Sequence, residues 1–498
     1  MTARAGRSGL DLAAGRPDRR RFAEKGIRVR RLLFVAALGA AISSGASAQP
    51  ASERWNAKAR EILARAVEIP TVQGRGKVPE LARYLAGEYK AGGWAERDVQ
   101  VVPYEGAPGD ATAAFIARWP AARPSGKKPI LLLAHMDVVE AKRDDWSLEP
   151  FVLTERDGYF YGRGTSDIKQ GIAAVTTALL RLRAEGFRPR RDIVVLFTGD
   201  EETAGRGAEL GATEWRKWTD AEFALNSDGG GGGFAKDGRP LGFSLQTAEK
   251  TYSMYSFTVR NRGGHSSKPR GDNAIYKLAE ALRRLEAYRF TPILNETTRA
   301  YFSIREKGEK GPLGDAMRAW LADPNDGKAA DLIEADEGEV GLTRTRCVAT
   351  RLEAGHADNA LPQLARATVN CRIMPGTEPA AIRDELERMV GDPEVKVERT
   401  DDQKMSLASP LRPDVVAAFT AAVHARHPGA PIMPEMSTGA SDARPFRVAG
   451  IPVYGVDGSW GVVPDDLRAH GRDERLPVKA LYDDVDHWVG MLRTLAGK

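Results

Sequence analysis

The chain has 498 residues, more than a single hydrophobic core usually organises, so two domains are expected. Its composition is ordinary for a folded protein, with 42% hydrophobic and 28% charged residues. The 73 basic and 68 acidic residues leave a net charge of +5, and much of this excess lies in the first 31 residues. The remainder is close to neutral, so charge gives no indication of a nucleic-acid or membrane-surface partner.

The N-terminal segment 1–48 is typical of an export signal. A basic flank at 28–31 precedes an apolar run over 32–42, and residues 46–48 resemble a small-residue cleavage site. A membrane anchor is the alternative, but the run is shorter than the roughly 20 residues that cross a bilayer. We therefore expect a cleaved signal and a periplasmic or secreted protein that has no membrane contact afterwards.

From residue 53 to 246 the sequence alternates between helical and strand-like patterns. Continuous apolar runs over 130–134 and 193–198 are typical of strands buried on both faces. The segment 171–183 between them has the character of a crossover helix. Together these elements predict an α/β domain with a doubly wound mixed sheet.

The pattern changes near residue 247 and changes back near residue 401. Over 247–401 it reads strand, helix, two strands, helix, strand, which predicts a ferredoxin-like α+β domain. A polar stretch at 291–340 interrupts it and suggests a surface insertion. The α/β pattern resumes over 402–498, so we expect the α+β domain to be inserted into a domain formed by 53–246 and 402–498.

Two cysteines, Cys347 and Cys371, occur in the chain. This excludes a disulfide scaffold and a thiolate zinc site. Both lie in strand-like runs, equally far in sequence from a turn near Asn359, so a hairpin could place them opposite each other. A cross-strand disulfide is compatible with export, but we expect two buried free thiols.

The first candidate metal ligands follow the run 130–134. Residues two apart in an extended segment share a face, so the carboxylate of Asp137 could hold the far ring nitrogen of a metal-bound His135. Asp167 lies in a glycine-rich loop that enters the crossover helix. Each has an alternative explanation, since a His-x-Asp pair is often structural and Asp167 could cap the helix.

Further carboxylates follow the next predicted strands. Asp200, Glu201 and Glu202 repel one another, and at the carboxyl end of a buried strand a cation is the simplest way to neutralise them. A solvated surface would also tolerate them. Asp228 follows another apolar run, and His470 lies in a polar loop near the C terminus. Two histidines and several carboxylates, without cysteine, suit a pair of zinc ions about 3.5–4 Å apart and bridged by a carboxylate.

Six segments in this order resemble the co-catalytic zinc exopeptidases of peptidase family M20: LLLAHMDVV, GRGTSDIKQG, TGDEETAG, NSDGG, GGHSSKP and AHGRDERLPV. That family includes aminoacylases, glutamate carboxypeptidase, carboxypeptidase S, peptidase T and succinyl-diaminopimelate desuccinylase. The similarity covers the chain after residue 53. It implies a zinc-dependent metallo-exopeptidase or amidohydrolase.

The resemblance implies a role for each metal-site residue. The implied ligands are His135 and Asp228 for one zinc ion, Glu202 and His470 for the other, and Asp167 as the bridge. Glu201 would be the general base, which takes a proton from the attacking water and passes it to the leaving amine. Asp137 would orient His135. Cobalt or manganese could replace zinc, because carboxylate-rich centres accept several divalent ions.

The resemblance also implies residues that contact the substrate. His265 would lie in the inserted domain, reach the neighbouring active site of a homodimer and help to stabilise the oxyanion. From its local sequence alone, His265 could equally be a turn histidine with local hydrogen bonds. Asn359 and Arg372 would contact substrate, and Arg372 could hold a terminal carboxylate by a two-pronged ion pair or be an ordinary surface arginine. Gly439 and Ser441 would line the pocket.

Three features differ from the better-known members of the family. These are the export signal, the 291–340 insertion, which would lengthen the lid as in carboxypeptidase S-like members, and Arg472, which stands where proline is more common. The main hypothesis is a secreted or periplasmic carboxypeptidase acting on small peptides, because Arg372 could anchor an α-carboxylate. The second is an N-acyl-amino-acid amidohydrolase with the same site. The third is a non-catalytic zinc- or peptide-binding protein.

Overall fold

The computed structural model describes residues 51–497, so the segment 1–48 lies outside the described residues. The helices are α1 (Ala51–Glu68), α2 (Val78–Ala91), α3 (Lys169–Ala184), α4 (Arg206–Ala212), α5 (Arg216–Thr219), α6 (Ala274–Ala287), α7 (Glu296–Gly308), α8 (Pro312–Ala322), α9 (Gly327–Glu334), α10 (Pro379–Val390), α11 (Pro413–His424), α12 (Ala443–Val448) and α13 (Val478–Ala496). The strands are β1 (Val99–Glu105), β2 (Ala111–Trp119), β3 (Ile130–His135), β4 (Thr154–Arg156), β5 (Tyr159–Tyr161), β6 (Ile193–Thr198), β7 (Phe223–Phe234), β8 (Pro240–Glu249), β9 (Thr251–Arg260), β10 (Gly264–His265), β11 (Arg346–Ala354), β12 (Ala360–Leu361), β13 (Leu364–Ile373), β14 (Val395–Arg399), β15 (Ile432–Ser437), β16 (Val453–Val462) and β17 (Arg475–Pro477). None of the described helices combines the length and the apolar character needed to cross a bilayer.

The larger sheet has eight strands in the order β1-β2-β6-β3-β7-β16-β8-β15. Its centre is parallel, because β3 runs parallel to β6 and β7, and β16 runs parallel to β7. The pairs β1–β2, β2–β6 and β16–β8 are antiparallel. This confirms the predicted mixed α/β sheet. All residues of β3 and β6 are buried, which is why their sequences are continuously apolar.

Helices cover both faces of the larger sheet. Successive residues of β3 point to opposite faces. Leu132 belongs to the core that contains α1, α2, α3, α11 and α13, whereas Leu133 belongs to the core that contains α4 and α12. Since both faces are covered, a ligand can reach this sheet at the edge where the parallel strands end.

A second sheet has four antiparallel strands in the order β11-β13-β9-β14. Helices α6 and α10 pack on one of its faces, around Tyr255, Phe257 and Leu386. The chain leaves the larger sheet after β8, forms this second sheet, and returns to the larger sheet at β15. A role of the segment 247–401 as lid and dimerisation domain remains a prediction.

Cys347 of β11 and Cys371 of β13 form a disulfide, so the expectation of two free thiols is wrong. The register of the two strands places these residues directly opposite each other, with Cα atoms 4.1 Å apart. The sequence indicates two strands with a turn between them. Only the register, which depends on contacts of the whole sheet, decides which residues pair.

Residues 291–340 form three helices with a small core of their own. Helices α7, α8 and α9 pack around Phe302, Met317 and Trp320, which are buried. Helix α7 also contacts β15, the edge strand of the larger sheet. Near this contact the hydroxyl oxygens of Thr297 and Thr247 are 2.7 Å apart. The insertion is therefore anchored to the larger sheet, whereas the sequence suggested only a surface insertion.

Candidate metal centre

Three side chains of the centre, those of His135, Glu202 and Asp228, come from adjacent parallel strands or the loops after them, and Asp167 and His470 come from other loops. Strand β3 ends at His135, and β6 leads directly into residues 200–202. Asp228 lies on β7, two residues beyond the point where its pairing with β3 ends at Asn226. The sequence suggested that Asp228 ends its strand. In the structure the glycines after it continue β7 beside β16 as far as Phe234. Local strand-end positions thus bring distant parts of the chain to one edge of the sheet.

All five predicted ligands lie together, in two overlapping groups that share Asp167. The groups are His135, Asp167 and Asp228, and Asp167, Glu202 and His470, and within each group one ligand atom per residue lies within 4.8 Å of the others. Asp167 Oδ1 is 3.2 Å from Nε2 of His135, and Asp167 Oδ2 is 3.1 Å from Nε2 of His470. His470 Nε2 is also 2.9 Å from Oε1 of Glu202. Each oxygen of Asp167 therefore faces one group, as a bridging carboxylate requires.

The electrostatics of these groups fit a pair of cations. Burial raises the pKa of Asp228 to about 7 and that of Glu201 well above its usual range. Burial also opposes ionisation of Asp167, but hydrogen bonds from His135 and His470 outweigh it and hold the pKa of Asp167 well below its usual range. Hydrogen bonds to carboxylates raise the pKa of His470 to about 10. The buried carboxylates thus attract protons, which neutralise their excess negative charge. Divalent cations would neutralise the same charge, and the nitrogen and oxygen ligands present here suit zinc.

The carboxylate of Asp137 makes two contacts that the sequence did not predict. Its carboxylate oxygens accept the backbone N–H groups of Glu201 at 3.1 Å and Glu202 at 3.0 Å. The Nδ1 atom of His135 lies 3.0 Å from the main-chain carbonyl of Asp137 and 3.6 Å from its carboxylate. The backbone of Asp137 therefore orients the imidazole, and its carboxylate positions the loop that carries Glu201 and Glu202.

Asp200 does not belong to the centre, although it is adjacent in sequence to Glu201. Its carboxylate accepts the hydroxyl of Tyr104 at 2.6 Å and the backbone N–H groups of Arg206 and Gly207 at 2.8 and 2.9 Å. These contacts tie the loop to the start of α4. At Asp200, the repulsion among three adjacent carboxylates that the sequence suggests is thus relieved by hydrogen bonds.

His265 lies on β10, and Asn359 directly precedes β12, the strand that pairs with β10; both residues are exposed. The backbone N–H of Ser266 donates to the carbonyl of Asn359 at 3.0 Å. Nδ1 of His265 accepts the N–H of Ser267 at 3.1 Å. Within residues 51–497, no hydrogen bond or ion pair joins His265 to a metal ligand. Its role in a neighbouring subunit remains a prediction.

Arg372 lies on β13 beside the loop 437–442. Its guanidinium lies over the ring of Tyr252, 4.8 Å from the ring centre, and Nη1 is 3.4 Å from the carbonyl oxygen of Thr438. Gly439 follows Thr438, and the hydroxyl of Ser441 donates to the buried carboxylate of Glu249 at 2.8 Å. No carboxylate of the described residues forms an ion pair with Arg372. Its charge is therefore available for an anionic group of a substrate.

Two residues of the site are not singled out by the sequence. Asp442, at the end of the loop 437–442, is buried and accepts the hydroxyl of Thr198, the last residue of β6. This contact joins the loop beside Arg372 to the strand that leads into Glu201. Glu474 is fully buried and pairs with Arg163. The sequence signal for Glu474 is its place in the segment AHGRDERLPV, four residues after His470.

Two metal-ligand groups that share a carboxylate, at the end of a parallel α/β sheet and beside a buried glutamate, define a metal-dependent hydrolase with a two-ion centre. The model of peptidase family M20/M25/M40 matches residues 131–494, and the chain belongs to this family. The protein is thus a hydrolytic enzyme, and the hypothesis of a non-catalytic binding protein is not supported. The M20-family protein YXEP of Bacillus subtilis, whose structure is similar at 11% identity with a TM-score of 0.54 over 89% of this chain and 99% of that chain, is a dinuclear metal-binding peptidase.

Relatives of the chain include both types of enzyme considered above. It is 28% identical to N-fatty-acyl-amino acid synthase/hydrolase PM20D1 of Xenopus tropicalis over 375 residues, which cover 73% of this chain and 72% of that protein. It is 28% identical to probable carboxypeptidase S-like 2 of Dictyostelium discoideum over 387 residues, which cover 74% and 71% of the two chains. The structure of the M20 metallo-carboxypeptidase Sso-CP2 of Sulfolobus solfataricus is similar with a TM-score of 0.64 at 18% identity, over 88% of this chain and 99% of that chain. The last similarity shows the shared fold.

Proposed function

We propose that the protein is an exported zinc exopeptidase of carboxypeptidase type, which hydrolyses the terminal amide bond of small peptides that carry a free carboxylate. The observation that carries this proposal is the position of Arg372. Its guanidinium has no carboxylate partner among the described residues and lies beside the loop 437–442. Through Asp442, that loop contacts Thr198, the last residue of the strand that leads into Glu201.

The residues of the centre have distinct parts in this reaction. Zinc ions bound there would supply Lewis-acid activation of a water and of the scissile carbonyl group. His135 and Asp228 would hold one ion, and Glu202 and His470 the other, with Asp167 between them. Glu201 would take a proton from the attacking water and deliver it to the nitrogen of the leaving amine. Burial raises the pKa of Glu201, which makes its ionised carboxylate a stronger base for this proton transfer.

The carboxylate of the substrate would bind to Arg372. Burial lowers the pKa of the Arg372 guanidinium, so an anionic partner would relieve an electrostatic penalty. A guanidinium and a carboxylate form two parallel hydrogen bonds, which fix both position and orientation. This would place the terminal amide bond at a constant distance from Arg372 and explain cleavage at the end of a chain.

Export is supported by two independent features. The segment 1–48 has the pattern of a cleaved signal. The disulfide between Cys347 and Cys371 suits an oxidising compartment. We therefore propose a periplasmic or secreted location. We also propose a homodimer in which the exposed His265 of one subunit serves the active site of the other.

A substrate pair that differs in one group tests the role of Arg372. The wild-type enzyme is compared on a dipeptide and on the same dipeptide with a C-terminal amide. Loss of charge-assisted hydrogen bonds should lower kcat/KM by about 10- to 100-fold for the amide. Arg372→Ala should lower kcat/KM for the free dipeptide by a similar factor and leave the amide almost unchanged.

Arg366→Ala is the matched control, because Arg366 is an exposed arginine on the same strand, β13. It should leave both substrates unaffected. If Arg372→Ala retains the preference of the wild type for the free carboxylate, the proposed anchor is wrong.

A second candidate function is hydrolysis of N-acyl amino acids. A cavity of about 760 Å³ lies beside Arg372 and Thr438, and Leu282, Leu285 and Phe290 contribute apolar walls. Such a cavity could accept an acyl chain. Dipeptides and N-acyl amino acids with the same terminal residue separate the two candidates. A higher kcat/KM for the acyl substrates, rising with chain length, would favour the second.

A further inference from the structure

Glu474 and Arg163 form a buried ion pair between two loops that carry metal ligands. Glu474 Oε2 lies 2.6 Å from Arg163 Nη1, and the side chains are 0% and 3% exposed. Neither residue is a metal ligand, and the proposed hydrolysis assigns neither a proton transfer nor a substrate contact. Removing two charged side chains from water costs free energy, so we expect other contacts of the pair to offset this cost.

Glu474 holds the loop that ends at Asp167. Its Oε1 atom accepts the backbone N–H groups of Ser166 at 2.7 Å and Asp167 at 3.0 Å, and also the hydroxyl of Ser166 at 3.0 Å. Its Oε2 atom accepts the backbone N–H of Gly164 at 3.1 Å. One carboxylate therefore fixes the backbone from which the bridging ligand extends.

Arg163 holds the loop that carries His470. Its Nη2 atom donates to the main-chain carbonyls of His470 at 3.3 Å and Gly471 at 3.1 Å. The φ angle of His470 is 61°, in the left-handed region that residues with a Cβ atom rarely adopt. Such a conformation persists only where the surroundings hold it. The guanidinium also lies 5.1 Å from the centre of the Trp146 ring, which limits its movement.

We propose that Glu474 and Arg163 are positioning residues that set the separation of Asp167 and His470, and thereby the affinity for the ion bound by Asp167, Glu202 and His470. The other ion shares Asp167, but its remaining ligands, His135 and Asp228, lie on β3 and β7, which the pair does not contact. Loss of the pair should therefore weaken the ion bound by His470 more than the other ion. This inference rests on the two-ion centre of the proposed function.

Two conservative variants remove the pair in different ways. Glu474→Gln keeps the size of the side chain, but it replaces one acceptor oxygen with an NH2 group. That NH2 group cannot accept a hydrogen bond from the backbone N–H groups that face it. Arg163→Lys keeps the charge but lacks the planar fork that reaches Glu474 and two carbonyls together. Glu339→Gln is the matched control, because Glu339 is 2% exposed and its Oε1 lies 3.0 Å from Nε of Arg305, in a segment without metal ligands.

Zinc is titrated into the metal-free proteins in competition with a chromophoric chelator, and cobalt(II) is titrated in parallel while its visible absorption is recorded. The wild type should bind two ions. Glu474→Gln and Arg163→Lys should bind the first ion like the wild type and the second about 10- to 100-fold more weakly. The cobalt spectrum of the second equivalent should change, since it reports the geometry of His470 and Glu202. Glu339→Gln should match the wild type in both titrations.

The outcomes separate the inference from its premise. A wild type that binds only one ion contradicts the two-ion centre itself. A wild type with two ions, together with variants whose second affinity stays within about threefold of it, contradicts only the positioning role. Equal weakening of both ions also contradicts it, because the effect would then be a general loss of structure. If Glu474→Gln does not fold, the same criteria apply to Arg163→Lys.

Discussion

Replacing Asp137 with asparagine tests whether its carboxylate positions the general base or a metal ligand. The two carboxylate oxygens accept the backbone N–H groups of Glu201 and Glu202 at 3.1 and 3.0 Å. Asparagine has nearly the same size but only one acceptor oxygen, so one of these N–H groups would face an amide N–H. Asp137 is 3% exposed, and water would therefore not replace the lost acceptor.

The expected effect follows from the loss of one hydrogen bond to a charged acceptor. Such a bond contributes about 1.5–3 kcal/mol, which corresponds to about 10- to 160-fold in rate if it is needed in the transition state. When the amide nitrogen faces the N–H of Glu201, the displaced residue is the general base, which acts after the substrate has bound. We therefore expect Asp137→Asn to lower kcat by this factor, with KM and zinc content close to the wild type.

Steady-state kinetics on a dipeptide, together with zinc determined per chain, measure these quantities. An unchanged kcat would refute the positioning of Glu201 by the Asp137 carboxylate. A fall in zinc content, with unchanged kcat per bound zinc, would return Asp137 to the role predicted from the sequence, in which its carboxylate orients His135.

Three further perturbations have expected outcomes. Glu201→Ala should abolish hydrolysis while both zinc ions remain bound, and loss of zinc together with activity would identify Glu201 as a ligand. Because burial raises the pKa of Asp228 to about 7, its ionisation destabilises the metal-free protein as the pH rises from about 4 through 7. The melting temperature of metal-free Asp228→Asn minus that of the metal-free wild type should therefore be larger at about pH 8 than at about pH 5. A difference that is the same at the two pH values would contradict this. Replacing Cys347 and Cys371 by serine should lower the free energy of unfolding in urea by about 3 kcal/mol, given their separation of 24 residues, and an unchanged midpoint would show that the disulfide does not stabilise the fold.

The metal-ligating residues could be predicted from sequence because their positions follow from local patterns. The apolar runs of β3 and β6 predict buried parallel strands, and such strands end at a common edge of the sheet. His135 and Glu202 therefore belong at that edge before any long-range contact is known. The resemblance to family M20 adds the expectation that Asp167 and His470 join them, and the structure brings them within hydrogen-bond distance.

The contacts of Asp137 could not be predicted in this way. The spacing of His135 and Asp137 indicates a shared face, but a carboxylate can bind any donor that the fold presents to it. In the structure the backbone of the neighbouring β6 loop presents two N–H groups, and these take both oxygens. The outcome depends on how β3 and β6 lie in register, which no local pattern contains.

By itself the sequence determined the α/β class, the buried central strands and the candidate ligands, because burial and strand periodicity are local properties of the chain. Tertiary structure alone decided the disulfide of Cys347 with Cys371, the packing of α7 on β15, and the pair of Glu474 with Arg163. Each of these joins residues through register or through a contact between distant segments. Such contacts are selected by the packing of the whole fold, and the residues that form them carry no local signal of their partner.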